Sequence, residues 1–306
     1  MDNRGKVAII RCALVGLGAS GVSRVALMPE SYGLGEQALR GLARSSSIPQ
    51  ARVLEMAVVD GPEDSRHAAE LMRQAGAGCI LVLGGDGTVR DVSKGAGQVP
   101  LLPISTGTNN VLPTFVEGTV AGVAAGALAT GRVGVASACL RHKWLEVRVN
   151  GTPTDRALVD AAFVRGRFLG SRAVWQVSQI EQLVVTRAQA HSIGMSAIAG
   201  VLQPVAAEEP RGVALSLSPS SERPVMAAIG PGLIAEVGIG ALRTLQIGDS
   251  VDVEADGPLI VALDGEREVA LRPSDRASIV LRADGPWIVD VGRTMNEMVK
   301  RGLFNR

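Results

Sequence analysis

Residues 80–83 read Ile-Leu-Val-Leu, an unbroken apolar run that stops at Gly84-Gly85-Asp86-Gly87-Thr88. Compact β-branched runs of this kind alternate with Ala-rich stretches over the first 135 residues. Short apolar runs between turn residues read as buried strands, and apolar residues returning at every third or fourth position read as helices. On that basis residues 22–28 and 52–60 are strands, 35–44 is a helix and 79–85 is another strand. Residues 63–78 are helical in spacing, with Ala68, Leu71, Met72 and Ala75 on one face and glycines at the end. A further helix is expected over 119–130, where Val120, Val123, Ala124, Ala127 and Leu128 share a face and Gly131 ends it. Residues 6–21 have the character of an opening helix.

Beyond about residue 140 the pattern changes. Residues 144–151, 157–166, 182–189, 212–219, 258–271 and 277–291 are short, often alternating segments separated by Gly, Pro, Asn or Asp. Residues 294–304 return to helical spacing. The expected fold is an α/β N-terminal domain with a parallel, Rossmann-like sheet, followed by a β-rich antiparallel C-terminal domain and a C-terminal helix that packs back on the first domain. The corresponding spans are 1–137, 138–290 and 291–306.

Composition narrows the functional classes. The chain has 306 residues, 46% hydrophobic and 20% charged, so a substantial core can be buried. Its 31 basic and 30 acidic residues are interspersed and leave a net charge of +1, which gives no electrostatic footprint for nucleic acid or an anionic membrane. The apolar stretch 7–17 is interrupted by Arg11, lacks the usual small-residue cleavage site and is too short to span a bilayer. A soluble, cytoplasmic protein is expected. Cys12, Cys79 and Cys139 are widely spaced and fit small buried hydrophobes in a reducing compartment.

The chemistry is concentrated in two loops. Glycines at the end of a buried strand let successive N–H groups converge on phosphate oxygens, and a carboxylate in that place calls for a magnesium ion, a proton to accept, or both. The second loop, Thr106-Gly107-Thr108-Asn109-Asn110, follows the apolar residues 99–105 and offers hydroxyls and amides without fixed positive charge. Two such loops after successive strands could grip a triphosphate.

The pair GGDGT and TGTNN resembles the superfamily of NAD kinases and diacylglycerol/sphingosine kinases. The wider wording, GGDGTVRDV followed by LPISTGTNN, looks most like the AcoX-type ATP-NAD kinases. The resemblance implies an α/β domain joined to a β-rich domain, with ATP and acceptor meeting between them. It implies that Asp86 orients or deprotonates the acceptor hydroxyl while Mg²⁺ neutralises the phosphoryl charge. Gly84, Gly85, Gly87 and Thr88 would line the phosphate site, and Thr106, Gly107, Thr108, Asn109 and Asn110 would hold the nucleotide. Asp264-Gly265-Glu266 is similar to the Asp-Gly-Glu motif of the lipid-kinase branch, which implies a metal-ligand role for Asp264 and a catalytic one for Glu266. By itself the tripeptide is a turn between two strands. Asp160 matches the acid of the Asn-Glu or Asn-Asp pair that contacts the dinucleotide in NAD kinases, but Val159 stands where the Asn would be. Residues 195–205 are loosely similar to the stretch after the family's substrate loop, whereas residues 186–194 do not reproduce that loop. The opening strand and Asn-Pro-x-Ser-Gly-like loop of the superfamily have no counterpart before Lys6. A homo-oligomer is also implied.

Gly16-Leu17-Gly18-Ala19-Ser20-Gly21 fits G-x-G-x-x-G, but a strand-like run follows it, and a helix ending in a turn explains the same glycines. His67, His142 and His191 have no metal-ligand spacing. Ser105 and Ser192 lack a nucleophile-elbow setting, and Trp144, Trp175 and Trp287 are expected in packing roles. The leading expectation is an ATP- and Mg²⁺-dependent kinase that phosphorylates NAD to NADP. The alternatives are a kinase for a lipid or another small hydroxyl compound, and a nucleotide-binding regulator without turnover.

Overall fold

A computed structural model describes residues 1–40, 42, 48–166, 177–222 and 224–305. The chain divides into two units. One comprises residues 1–107, 113–141 and 286–306, and the other residues 108–112 and 142–285.

The first unit opens with α1 (Asn3–Ala19), whose start is fixed by the Asp2 carboxylate accepting the Gly5 N–H at 2.8 Å. It ends at Ser20, and Gly21 at φ +84° turns the chain away, so the six-residue glycine motif is a helix terminus. There follow β1 (Arg24–Leu27), α2 (Leu34–Arg40), β2 (Gln50–Val53), α3 (Pro62–Gln74), β3 (Ile80–Gly84), α4 (Asp86–Ala96), β4 (Leu101–Ser105), α5 (Gly118–Ala129), α6 (Val135–Ala138) and β5 (Cys139–Arg141). Helices α1 and α5 approach closely because Gly16 and Gly122 carry no Cβ. One at Gly16 would lie 2.2 Å from the Thr119 carbonyl oxygen, and one at Gly122 2.2 Å from that of Ala13.

The second unit is built from β6 (Trp144–Val149), β7 (Thr152–Ala157), β8 (Asp160–Arg165), β9 (Ile180–Val185), α7 (Met195–Gly200), β10 (Arg211–Leu217), β11 (Pro224–Gly230), β12 (Leu233–Gln246), β13 (Ser250–Glu254), β14 (Leu259–Leu263), β15 (Glu266–Leu271) and β16 (Arg276–Arg282). Its strands form two antiparallel sheets, ordered β11-β12-β10-β9-β8-β14-β15 and β13-β16-β6-β7. Alternation along β8 sends Ala161 and Phe163 into the core between the sheets, with Leu145, Val261 and Ile279. Ala162 and Val164 enter a second core beneath α7, with Leu183 and Ile198. A strand covered on both faces reads as a continuous apolar run, which is what residues 161–164 are.

The chain returns to the first unit through β17 (Trp287–Val289) and α8 (Val291–Lys300). Strand β17 lies parallel to β4 and antiparallel to β5, giving the order β3-β4-β17-β5. Met298 of α8 is buried with Leu102, Ile104, Ala124 and Leu128, and Arg301 donates to the Arg132 carbonyl at 3.0 Å. The α/β unit, the antiparallel β unit and the returning helix are therefore all present.

Three expectations need correction. The segment 277–291 is two strands in different units, because Gly285 donates its N–H to the His142 carbonyl and breaks the run. The strand expected over 52–60 lies at 50–53. Residues 54–59 are irregular, and the Asp64 carboxylate at the head of α3 accepts the Val59 N–H. The parallel sheet is also in two pieces, since among the described residues β1 pairs with β2 alone. Of the helix expected over 35–44, residues 41 and 43–44 lie outside the described residues, as does Trp175. Among the described residues no helix is long and apolar enough to cross a membrane.

Candidate functional site

The motif GGDGT is a strand-to-helix junction in the first unit. Gly84 closes β3, Gly85 caps α4, and Asp86, Gly87 and Thr88 form the first helical turn, with Val89 N–H donating to the Gly85 carbonyl at 3.1 Å. The N–H groups of that first turn have no carbonyl within the helix to bind, and they carry the positive end of its dipole. A donor set of this kind can receive an anion. The glycine requirement differs from the one expected. None of Gly84, Gly85 and Gly87 has a positive φ. Gly84 is needed for space, because a Cβ there would sit 2.5 Å from the Thr88 Cβ.

Asp86 is buried at 8% exposure at the head of α4. One turn later lies Arg90, whose side chain is almost completely buried, with Nε 3.6 Å from the Asp91 carboxylate. Lys94 reaches the same carboxylate at 3.3 Å. Arg90 was not anticipated from the sequence. A charged residue between Val89 and Val92, on a helix whose other inward positions are small, was the available signal.

The second loop is divided between the units. Thr106 and Gly107 belong to the first, where Thr106 donates its N–H to the Gly84 carbonyl at 3.4 Å and the Ser105 hydroxyl donates to the Gly107 carbonyl at 3.0 Å. The structure thus brings Thr106 to the end of β3, beside the junction that holds Asp86. Thr108, Asn109 and Asn110 belong to the second unit. There Asn109 lies next to Gly194, which enters α7 at φ +95°.

In the second unit Asp264 and Gly265 are the two-residue turn between β14 and β15, at φ +50° and +81°. Asp-Gly with two positive φ values suits the twist of a tight hairpin. The Asp264 carboxylate accepts N–H groups from Leu158 at 3.0 Å, Val159 at 2.7 Å and Asp160 at 3.3 Å, and the Asp264 N–H donates to the Asp160 carbonyl at 2.8 Å. This geometry clamps the segment that leads into β8. The carboxylate that the resemblance would give to a metal is engaged here with backbone donors. Among the described residues no group of three or more His, Cys, Asp or Glu could hold a metal ion.

Asp160 is thereby brought beside Asp264, buried at 5% exposure, while Glu266 opens β15 half-buried. Val159 is buried as an apolar residue. The Leu158 carbonyl accepts the buried Thr186 hydroxyl at 2.7 Å and is 3.1 Å from His142 Nε2. A carbonyl only accepts, so His142 holds its proton on Nε2 in the neutral form. Burial, followed by the Arg187 charge, pulls its pKa down to about 3 against the opposing Leu158 carbonyl. Thr186 and His142 were not read as members of this segment, since nothing local in their sequence ties them to residue 158. Trp144 and Trp287, expected in packing roles, are half-buried and carry Arg156 and Arg141 guanidinium groups at 4.8 and 5.0 Å from their rings.

Comparison with known proteins agrees with these two units. Residues 16–133 match the ATP-NAD kinase N-terminal domain, and residues 143–284 match the acetoin catabolism protein X C-terminal domain. Acetoin catabolism protein X of Cupriavidus necator is 38% identical over 309 residues, covering 98% of this chain and 86% of that protein. Yeast NADH kinase, solved in complex with NADH, superposes over 97% of this chain and 84% of its own with a TM-score of 0.56. At 13% identity that likeness concerns the fold.

Proposed function

Because the chain belongs to the NAD kinase-like family of acetoin catabolism protein X, we propose that it transfers the γ-phosphoryl group of ATP to a hydroxyl of NAD, giving NADP. One observation carries the reading: Asp86 heads a helix whose first-turn N–H groups face outward from a glycine-walled strand end. Dipole and N–H donors receive phosphate there, and a carboxylate in the same turn serves proton transfer. The residues fit a Mg²⁺-nucleotide, since Asp86 is a hard oxygen ligand beside anion-binding donors. When bound, Mg²⁺ would supply charge neutralisation on the transferring group. Gly84, Gly85, Gly87, Thr88, Thr106 and Gly107 are assigned to the donor phosphates, and Thr108, Asn109 and Asn110 to the nucleotide. Asp160 is assigned to the acceptor, Glu266 assists at the acceptor side, and Asp264 holds the segment from which Asp160 projects.

The test is label transfer. With [γ-³²P]ATP, Mg²⁺ and NAD, label should appear in a product that co-migrates with NADP. A buried apolar Val159 beside Asp160 favours a second reading, in which the acceptor is a different hydroxyl compound or the nucleotide is bound without turnover. Label on another acceptor, or saturable ATP binding with no label transfer, would establish that reading in place of the first.

A further inference from the structure

Every backbone polar group of Leu158-Val159-Asp160, the tripeptide that enters β8, is taken by one of three residues remote in sequence. The Asp264 carboxylate accepts the N–H groups of Leu158, Val159 and Asp160. On the carbonyl side, Leu158 receives the Thr186 hydroxyl at 2.7 Å and His142 Nε2 at 3.1 Å, Val159 receives the Thr186 N–H at 2.9 Å, and Asp160 receives the Asp264 N–H at 2.8 Å. His142 and Thr186 are both fully buried, so neither donation is shared with solvent. A carbonyl has two lone pairs, and both of those on Leu158 are filled by buried side chains. Sheet pairing alone asks for neither. His142 stands just ahead of β6 and Thr186 just beyond β9, so two separate strands each lend a donor to the same carbonyl.

What this grip fixes is Asp160. Successive residues of a strand point to opposite faces, so Asp160 shares the face of Ala162 and Val164, the one that α7 covers. A carboxylate that meets a ligand from a backbone already immobilised gives up little freedom on binding, and that preorganisation appears as affinity for the ligand it meets. We propose that His142 and Thr186 are positioning residues: through the Leu158 and Val159 carbonyls they hold the backbone of Asp160 and so set the affinity for the dinucleotide acceptor. The inference rests on the assignment of Asp160 to the acceptor under the proposed function. Neither residue acts on the acceptor directly. The residues assigned to the donor phosphates belong to the first unit, so the effect falls on one substrate and spares the other.

Two pairs of variants test it. Thr186→Val keeps the shape and loses the hydroxyl, whereas Thr186→Ser keeps the hydroxyl; His142→Leu removes the ring N–H, whereas His142→Gln supplies an amide N–H in its place. In Thr186→Val and His142→Leu the KM for NAD should rise at least ~5-fold while the KM for ATP stays within about twofold. Thr186→Ser and His142→Gln should recover most of that loss. Both KM values moving together, or neither moving, would overturn the inference, as would Thr186→Ser and His142→Gln performing no better than Thr186→Val and His142→Leu. Amide hydrogen exchange supplies a readout that needs no turnover. In Thr186→Val the amides of Val159 and Asp160, which face Asp264 and not the lost hydroxyl, should exchange about 10-fold faster, with Ile279 and Leu281 of β16 unchanged. If the wild type turns over no NAD, the proposed function fails on that measurement alone. The exchange result then supports the hold on Asp160 if faster and overturns it if unchanged.

Discussion

Asp264 shows how one side chain can fix a segment distant in sequence. Its carboxylate accepts three backbone N–H groups from residues 158–160, so removing it leaves those donors to solvent or unsatisfied. Asp264→Ala should cost about 2–4 kcal/mol, the scale of leaving buried donors unmade, and Asp264→Asn, which keeps one acceptor oxygen, should cost less. Urea unfolding of the three proteins checks the order. His142 gives a pH signature. Its pKa is about 3 in the folded chain against an ordinary 6.5, so between those limits the unfolded chain binds more protons. Stability therefore falls as pH falls through that window, by up to about 1.4 kcal/mol per pH unit. Measured between pH 7 and 5, where carboxylates titrate little, wild type should lose stability more steeply than His142→Gln. At this scale the end of β3 at Gly84 and the Asp264 turn were legible from local wording, because turn chemistry is local. The convergence of His142, Thr186 and Asp264 on Leu158 was not, since it is made by strand pairing among residues up to 106 positions apart.

Among the elements, glycine placement decides how helices meet. Replacing Gly122 by Ala would raise intrinsic helix propensity by roughly 1 kcal/mol. The added Cβ would nevertheless sit 2.2 Å from the Ala13 carbonyl oxygen, a backbone atom with little room to yield. The clash should dominate, so Gly122→Ala is expected to destabilise by about 1–3 kcal/mol, measured by thermal unfolding. A stability gain would mean that α1 and α5 do not meet as described. Helix α3 and strand β3 were readable because their periodicity is strong and their ends carry glycine. Helix α4 escaped the reading because its opening residues look like a loop when glycine is taken as a sign of unusual dihedrals. In fact Gly84 makes room for Thr88. Strand β2 was misplaced because Val58 and Val59 look strand-like, while the cap of α3 draws that segment out of the sheet.

For the whole molecule, the change from strand-helix alternation to short alternating strands near residue 140 marked the two architectures, since each follows from which faces of a sheet are covered. The return of β17 to the first unit and the split of its sheet were hidden, because strand order is a long-range property that neither composition nor period encodes. The central claim is that the protein is a phosphotransferase acting through Asp86, and acceptor-dependent turnover tests it most directly. ADP release and NADP formation should be measured together, with ATP and Mg²⁺, with and without NAD, for wild type and Asp86→Asn. The account predicts NAD-dependent ADP release matched by NADP in the wild type, and turnover at least ~10²-fold lower in Asp86→Asn with the fold retained. Near-normal turnover in Asp86→Asn would contradict the role given to that carboxylate, and ADP release indifferent to NAD would contradict the acceptor.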